Sequence, residues 1–123
     1  MIRGIGTDIV AIKRIEQALD RHGERFAKRI LTTEELKNMP QARPASWLAK
    51  RFASKEAVVK ALGTGFRDGL GFHDIQTSHD ALGRPVVRLI GRAEAQLAAL
   101  GARRLDLSVS DEAHYAVAFV VIS

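Results

Sequence analysis

The chain has 123 residues, of which 46% are hydrophobic and 27% are charged, a balance that suits one globular domain over residues 1–123 and excludes the disordered and membrane-embedded classes. The absence of cysteine excludes disulfides, thiolate zinc sites and cysteine nucleophiles, so any metal must be held by carboxylates, histidines or water. A formal net charge of +5 favours an anionic partner, and a nucleic acid, a nucleotide and an acidic protein all qualify.

Residues 2–10 predict a β-strand, because their apolar members are β-branched and no helix former interrupts them. By the two-residue period of a strand, Asp8 shares a face with Gly4 and Gly6, so we expect bare backbone that a ligand can approach closely. A carboxylate inside a half-buried strand is unfavourable unless it is paired or binds a cation. A salt bridge with an arginine is the commoner explanation, and a metal site is the alternative.

No apolar run approaches the roughly 18 residues of a membrane span. Asp8 also stands where a signal peptide would be purely apolar, so we expect a cytoplasmic protein.

Apolar residues at three- and four-residue spacing predict a helix from Ala11 that stops near His22-Gly23. A second, short helix is expected over Arg25–Leu31. Thr32 and Glu35 then stand where the capping box of a third helix requires them.

The first two predicted helices carry a surplus of basic residues, with six Lys or Arg against three acids between Lys13 and Arg29. Four of the basic residues would lie along one side if the chain stays near helical: Arg14, Arg21, Arg25 and Lys28. Such a row is usually a solvated face. The shortage of neighbouring acids nevertheless favours an anionic partner, because guanidinium groups bind carboxylates and phosphates with two hydrogen bonds.

A long helix is predicted over Pro44–Leu62, with proline in its first turn and Gly63 ending it. Its apolar stripe consists of Leu48, Phe52, Val59 and Leu62. Lys55 lies inside this stripe, while Arg51 and Glu56 lie on its two borders. We expect Lys55 to pack its aliphatic stem and keep its ammonium group in water.

Glu56, like Asp8, is a carboxylate beside apolar residues, so it too is expected to pair with a basic residue or to bind a cation. If the two carboxylates converge, they form an open, water-rich site of the kind that Mg²⁺ uses when substrate phosphates complete its shell. Lys60 follows Glu56 by four residues, which fits an ordinary helical ion pair of about 0.2–0.5 kcal/mol. It equally fits an ammonium group that neutralises a phosphoryl group in transfer, and the spacing does not decide between the two.

The rest of the chain predicts a loop and four strands with one helix between them. Residues 63–71 carry four glycines and predict a loop whose backbone N–H groups can approach phosphate. Strands are expected over residues 73–77, 85–90, 105–110 and 115–122, and a helix over residues 92–100. Both faces of the last strand are apolar, so both need cover. These elements predict an α+β fold, with a small antiparallel sheet packed on the long central helix.

An RNA-binding module is an alternative for so basic a chain. It is disfavoured because there are only one Trp, one Tyr and five Phe, and no aromatic pair alternates with basic residues on a strand. Phosphate-binding, dinucleotide, metalloprotease and serine-hydrolase motifs are all absent.

Two segments resemble those of a known family: Gly4-Ile-Gly-Thr-Asp8-Ile-Val and Arg51-Phe-Ala-Ser-Lys-Glu56-Ala-Val-Val-Lys60-Ala-Leu-Gly-Thr-Gly65. Together they resemble the paired signature of bacterial holo-acyl-carrier-protein synthases, the short-chain 4′-phosphopantetheinyl transferases. The resemblance implies the fold of that family. It also implies transfer of 4′-phosphopantetheine from coenzyme A to a serine of an acyl carrier protein, releasing 3′,5′-ADP, for fatty acid biosynthesis.

The resemblance further implies that Asp8 and Glu56 bind Mg²⁺ and that Lys60 contacts the phosphates. It implies that the basic first helix receives the acidic carrier protein. Either Glu56 or a water on the metal could deprotonate the serine. A non-catalytic relative kept for protein interaction is the second alternative, and the intact Asp8, Glu56 and Lys60 speak against it.

Coenzyme A, by the same resemblance, lies at a boundary between subunits of a homotrimer. The resemblance places residues from Arg51 to Lys55, and the loop Gly63-Thr64-Gly65, beside it. One position departs from the family pattern, because many members carry a histidine with a catalytic or pyrophosphate-binding role where Asp111 stands. Either Asp111 substitutes with different chemistry, or that role is dispensable.

Overall fold

The computed structural model describes all residues 1–123. Its strands are β1 (Gly4–Ala11), β2 (Ile75–His79), β3 (Pro85–Leu89), β4 (Leu105–Asp111) and β5 (Tyr115–Ile122). Its helices are α1 (Ile12–His22), α2 (Glu24–Ile30), α3 (Thr33–Leu36), α4 (Pro44–Leu62) and α5 (Gly91–Ala99), with a 3₁₀ turn over Phe72–Asp74. No helix is long and apolar enough to cross a membrane.

The α+β class is confirmed, but the strands form two sheets rather than one. The larger sheet has the order β1-β5-β4, the smaller pairs β2 with β3, and every pairing is antiparallel. The strand expected over residues 73–77 begins two residues later than predicted. The reason is the 3₁₀ turn before it, which is held by a hydrogen bond from Gly71 N–H to the Asp74 carboxylate at 2.9 Å.

Helix α4 runs between the larger sheet and the other helices, and it has the predicted bounds. Pro44 occupies its first turn, and Gly63 ends it in the left-handed conformation at φ 83°. The predicted apolar stripe was too narrow. Alanines outside that stripe are also buried, since their small side chains let strands and helices approach from several sides: Ala49, Ala53, Ala57 and Ala61.

Gly4 and Gly6 lie against α4 rather than against open space. A Cβ atom at Gly6 would lie 2.0 Å from the carbonyl oxygen of Ala57, and one at Gly4 would lie 2.1 Å from that of Ala61. The expectation that these glycines leave room for a ligand beside Asp8 is therefore wrong. They leave room for the helix backbone, and the contact places β1 directly on the turns of α4 that carry the predicted site.

The larger sheet has one covered face and one uncovered face. On β5 the residues that face α4 are at most 1% exposed: Ala116, Ala118, Val120 and Ile122. The residues that we call the outer sheet face are 40–64% exposed: Ile5, Ile9, Tyr115, Val117 and Phe119. Both faces of β5 are apolar, as predicted, and within one chain only one of them is covered.

The N-terminal helices agree with the sequence signals but do not form one continuous helix. Gly23, at φ 57° and ψ −135°, separates α1 from α2. Thr32 accepts a hydrogen bond from Glu35 N–H at 3.2 Å and donates its own N–H to the Glu35 carboxylate at 2.8 Å. The predicted capping box is therefore present.

Candidate active site

Asp8 lies in the middle of β1 with its side chain 15% exposed. Its Oδ1 accepts a hydrogen bond from Lys60 Nζ at 3.0 Å, and the same ammonium group donates to the carbonyl of Thr7 at 3.0 Å. The expected arginine partner of Asp8 is thus a lysine. The alternative of a helical Glu56–Lys60 ion pair is also not observed, since Lys60 reaches across to the strand.

Glu56 is partly buried on α4, one turn before Lys60. Burial and the negative charge of Asp8 raise the pKa of Glu56, while the charges of Lys60 and Arg14 lower it. An electrostatic effect of Asp8 on Glu56 requires that the two carboxylates lie near each other. The charge of Asp8 thus acts on Glu56, as expected of two carboxylates that share a site, and their common binding of a cation stays a prediction.

The donor set of this site suits a hard cation that keeps several waters. No group of three or more His, Asp or Glu side chains is arranged to hold a metal, so Asp8 and Glu56 would have to hold it as a pair. Mg²⁺ is commonly held by one or two carboxylates together with water and substrate phosphates. A positive ion would also offset the crowding of negative charge that raises the pKa of Glu56.

Lys55 does not snorkel to the surface, as the sequence suggested, but is fully buried. Its ammonium group donates to Glu35 Oε1 at 2.6 Å, to the carbonyl of Ile30 at 2.7 Å and to the carbonyl of Phe72 at 3.2 Å. Burial lowers the pKa of Lys55, and the charge of Glu35 partly offsets this. With all three N–H groups engaged, Lys55 has none left for coenzyme A, which contradicts its expected place beside that molecule.

The backbone N–H groups of the loop Gly63-Thr64-Gly65 donate to carbonyls at the end of α4. Gly63 N–H donates to the carbonyl of Lys60 at 3.1 Å, and the next two N–H groups both donate to the carbonyl of Val59. These three groups cap the helix, so Gly63, Thr64 and Gly65 offer no free backbone donor for phosphate. Among buried side-chain polar atoms, only the hydroxyl oxygen of Thr64 has no hydrogen-bond partner.

Arg51 and Asp111 share a cleft of about 150 Å³ between α4, β4 and the smaller sheet. The guanidinium of Arg51 lies 4.1 Å from the ring centre of Trp47. Burial lowers the pKa of Arg51. Sequence reasoning missed two further residues of this cleft, Lys50 and His79. Lys50 Nζ lies 3.7 Å from Asp111 Oδ1.

The charge of this cleft is mainly positive. Burial lowers the pKa of His79, and so do the charges of Arg51 and Lys50, which places three basic groups within electrostatic range of one another. Such a cleft suits an anionic ligand. Lys50 could have been noticed as the neighbour of Arg51, whereas nothing in the sequence singles out His79.

The predicted basic row is exposed at all four positions, Arg14, Arg21, Arg25 and Lys28. The break at Gly23 divides it between α1 and α2. Arg14 lies 5.7 Å from the ring centre of Phe52, and its charge acts on Glu56. The row therefore begins beside the two carboxylates.

Comparison with known proteins gives concordant results. Residues 4–120 match the family described as the 4′-phosphopantetheinyl transferase superfamily. The chain is 54% identical, over 99% of its length and 98% of the relative, to the holo-[acyl-carrier-protein] synthase of Halorhodospira halophila. It superposes on the crystal structure of the corresponding protein from Neisseria meningitidis with a TM-score of 0.91 and 50% identity, covering 100% and 99% of the two chains. The Helicobacter pylori protein, solved in complex with coenzyme A, gives a TM-score of 0.85 and 34% identity, with 97% and 99% coverage.

Proposed function

The chain belongs to the 4′-phosphopantetheinyl transferase superfamily and, within it, to the holo-acyl-carrier-protein synthases, and we propose that it transfers 4′-phosphopantetheine from coenzyme A to a serine of an apo acyl carrier protein, which then serves fatty acid biosynthesis. The complex of the Helicobacter pylori relative supports coenzyme A as the donor. The observation that carries the proposal is the pairing of Lys60 with Asp8 one helical turn from Glu56, on which the charge of Asp8 acts.

The reaction is a phosphoryl-type transfer in which one P–O bond replaces another. The serine hydroxyl oxygen attacks the β-phosphorus of coenzyme A, the bond from this phosphorus to the bridging oxygen breaks, and 3′,5′-ADP leaves with that oxygen. Lys60 carries a positive charge next to Asp8, where it favours the negative charge of the transferred group. The serine proton passes either to Glu56, whose raised pKa suits a proton acceptor, or to a water.

Asp8 and Glu56 hold Mg²⁺ in this proposal, and the metal neutralises charge on the pyrophosphate of coenzyme A. Support comes from the pair of oxygen donors and from the mutual effect of their charges. The hydrogen bond from Lys60 to Oδ1 restricts the rotation of the Asp8 carboxylate. We therefore expect the dependence of the transfer rate on Mg²⁺ to change when either Asp8 or Glu56 is replaced.

The basic cleft receives an anionic part of coenzyme A. Arg51 is the predicted contact there, Lys50 adds a second positive charge, and His79, whose pKa is lowered by burial and by these two charges, adds a neutral imidazole. Asp111 pairs with Lys50, so its role is to orient that lysine rather than to act on the reacting phosphorus.

A homotrimer covers the outer sheet face. This face is continuous across β1 and β5, because Ile9 pairs with Val117, and Ile5 lies on the same side two residues before Thr7, the partner of Phe119. Exposed apolar area of this kind favours association with a second copy of the chain. The number three rests on the family resemblance, which also places coenzyme A at the subunit boundary.

The exposed basic row on α1 and α2 docks the carrier protein. Acyl carrier protein is acidic by the resemblance, and the row offers four exposed basic side chains, of which only Lys28 pairs with an acid, Glu24, at 3.8 Å. Because Arg14 lies near Glu56, a carrier protein bound along this row would present its serine close to the carboxylates.

The test is mass spectrometry of an apo carrier protein incubated with the purified protein, coenzyme A and Mg²⁺. We expect the mass of one phosphopantetheine to be added and 3′,5′-ADP to be released in equal amount. The same incubation with EDTA and without added metal should leave the carrier unmodified. An unmodified carrier in the complete mixture, under conditions where an established synthase modifies it, would disprove the proposal.

A further inference from the structure

The buried pair of Lys55 and Glu35 joins parts of the chain that are otherwise only loosely connected. Lys55, on α4, donates to the last residue of α2, to the carboxylate on α3 and to the carbonyl of Phe72. Glu35 in turn accepts from the backbone N–H and the hydroxyl of Thr77 on β2, at 2.8 and 2.6 Å. Five segments therefore meet at one ion pair, and every polar atom in it has a partner.

Helix α2 is anchored by its buried Ala27 and Ile30, and the ion pair adds a polar contact at its C-terminal end. It has only seven residues and contacts α4 at few positions. Its C-terminal carbonyls are held by two side chains from elsewhere: Ile30 accepts from Lys55, and Lys28 accepts from the ring N–H of His73 at 2.7 Å. A short helix without these donors would have unsatisfied carbonyls at its buried end.

The same helix carries half of the proposed docking row. Arg25 and Lys28 lie on α2, whereas Glu56, the residue directly after Lys55, belongs to the carboxylate pair on α4. Lys55 thus links α2, which would receive the carrier protein, to α4, which carries Glu56 and Lys60.

We propose that Lys55, held by Glu35, is a positioning residue that fixes α2 relative to α4 and so brings the carrier serine to the phosphate of coenzyme A. This inference rests on the proposed function. It predicts that loss of the pair affects the carrier protein as substrate and leaves coenzyme A binding intact. A direct contact of Lys55 with coenzyme A, which the sequence suggested, predicts the opposite.

The experiment uses the neutral double variant Lys55→Met with Glu35→Gln, because removing only one partner leaves an unpaired buried charge that can unfold the protein. The amide introduced by Glu35→Gln has one oxygen, which can keep the two Thr77 donors, while Thr32 N–H loses its acceptor and the carbonyls of Ile30 and Phe72 lose their donor. Lys37→Met is the matched control, since Lys37 forms a surface ion pair with Glu34 at 3.2 Å and its side chain is 66% exposed. Steady-state rates are measured with carrier protein, coenzyme A and Mg²⁺ varied in turn.

The expected result is a fall of about tenfold or more in kcat/KM for the carrier protein, as a misplaced substrate produces. The KM for coenzyme A and the Mg²⁺ concentration for half-maximal rate should stay within about twofold of wild type. Unchanged carrier kinetics in a folded double variant would overturn the inference, and so would a raised KM for coenzyme A. A wild-type protein that transfers nothing would instead refute the proposed function.

His73→Ala provides a second test that does not disturb the buried pair. His73 is exposed, and its removal frees only the carbonyl of Lys28. We expect a smaller change of the same kind, about threefold in kcat/KM for the carrier protein with coenzyme A kinetics unchanged. If the double variant is unfolded and His73→Ala behaves like Lys37→Met, the inference is wrong.

Discussion

Replacing Gly6 with alanine should separate the two halves of the candidate active site. The added Cβ would lie 2.0 Å from the carbonyl oxygen of Ala57, roughly 1.4 Å short of the 3.4 Å at which ordinary van der Waals contact begins. The obstacle is backbone, so no side-chain rotation relieves it, and β1 and α4 must move apart. Asp8 travels with the strand, while Glu56 and Lys60 travel with the helix.

Two quantities should change in Gly6→Ala. Overpacking of this kind costs about 1–3 kcal/mol of unfolding free energy. A displacement on the order of 1 Å between catalytic groups costs about 100-fold in rate. Urea denaturation measures the first, and the initial rate of carrier modification, followed by mass spectrometry, measures the second.

Gly71→Ala is the matched control, because nothing lies within 4 Å of a Cβ at that position and its φ of −127° suits any residue. It should keep wild-type stability and rate. A further substitution of Ala57 by glycine should not rescue Gly6→Ala, since the clash is with a carbonyl oxygen. Wild-type activity in Gly6→Ala would refute the view that the close approach of β1 and α4 sets the site.

Four further predictions concern the carboxylates, the docking row and the outer sheet face. Asp8→Ala and Glu56→Ala should each abolish transfer, and a variant with near wild-type turnover across a Mg²⁺ titration would not belong to the metal site. The pKa of Glu56 is raised above 4.5 in the folded protein, so the folded state holds this proton more tightly and stability falls as the pH rises from about 4.5 through the raised pKa. Glu56→Gln should therefore raise the Tm at pH 7 but not at pH 4, and an equal Tm at pH 7 would contradict this. Reversing Arg14 and Arg21 to Glu should raise the KM for carrier protein far more than the KM for coenzyme A. Added salt should also raise the KM for carrier protein, because the Debye length falls to roughly 3 Å at 1 M. A KM for carrier protein that does not change with salt would disprove docking by charge. Phe119→Asp should lose assembly and activity together, and light scattering that gives 13.5 kDa for fully active wild-type protein would exclude the trimer.

The sequence was sufficient to predict structural features that depend on residues close to one another along the chain. Pro44 and Gly63 gave the bounds of α4, and Thr32 with Glu35 gave the capping box, because each depends on residues within one helical turn. The convergence of Asp8 and Glu56 was a conditional inference, and the placement of β1 on α4, together with the effect of the Asp8 charge on Glu56, supports it.

Contacts between distant segments could not be predicted from spacing. Lys60 is four residues from Glu56 but pairs with Asp8, since β1 lies closer to its ammonium group. Lys55 was expected at the surface because its partner, Glu35, stands twenty residues earlier and was explained by the capping box alone. The backbone N–H groups of Gly63–Gly65 were expected to donate to phosphate, but they donate instead to carbonyls in the last turn of α4.

If the outer sheet face joins protomers that share their active sites, activity is a property of the assembly and not of each chain alone. If three protomers share their sites, dilution below the dissociation constant of the assembly should reduce specific activity steeply, since trimer concentration varies with the cube of free protomer. An inactive chain with an intact outer sheet face would also enter assemblies with active ones. At equal expression and random mixing, only about one trimer in eight would contain wild-type chains alone, so such a chain would act as a dominant inhibitor in the cell.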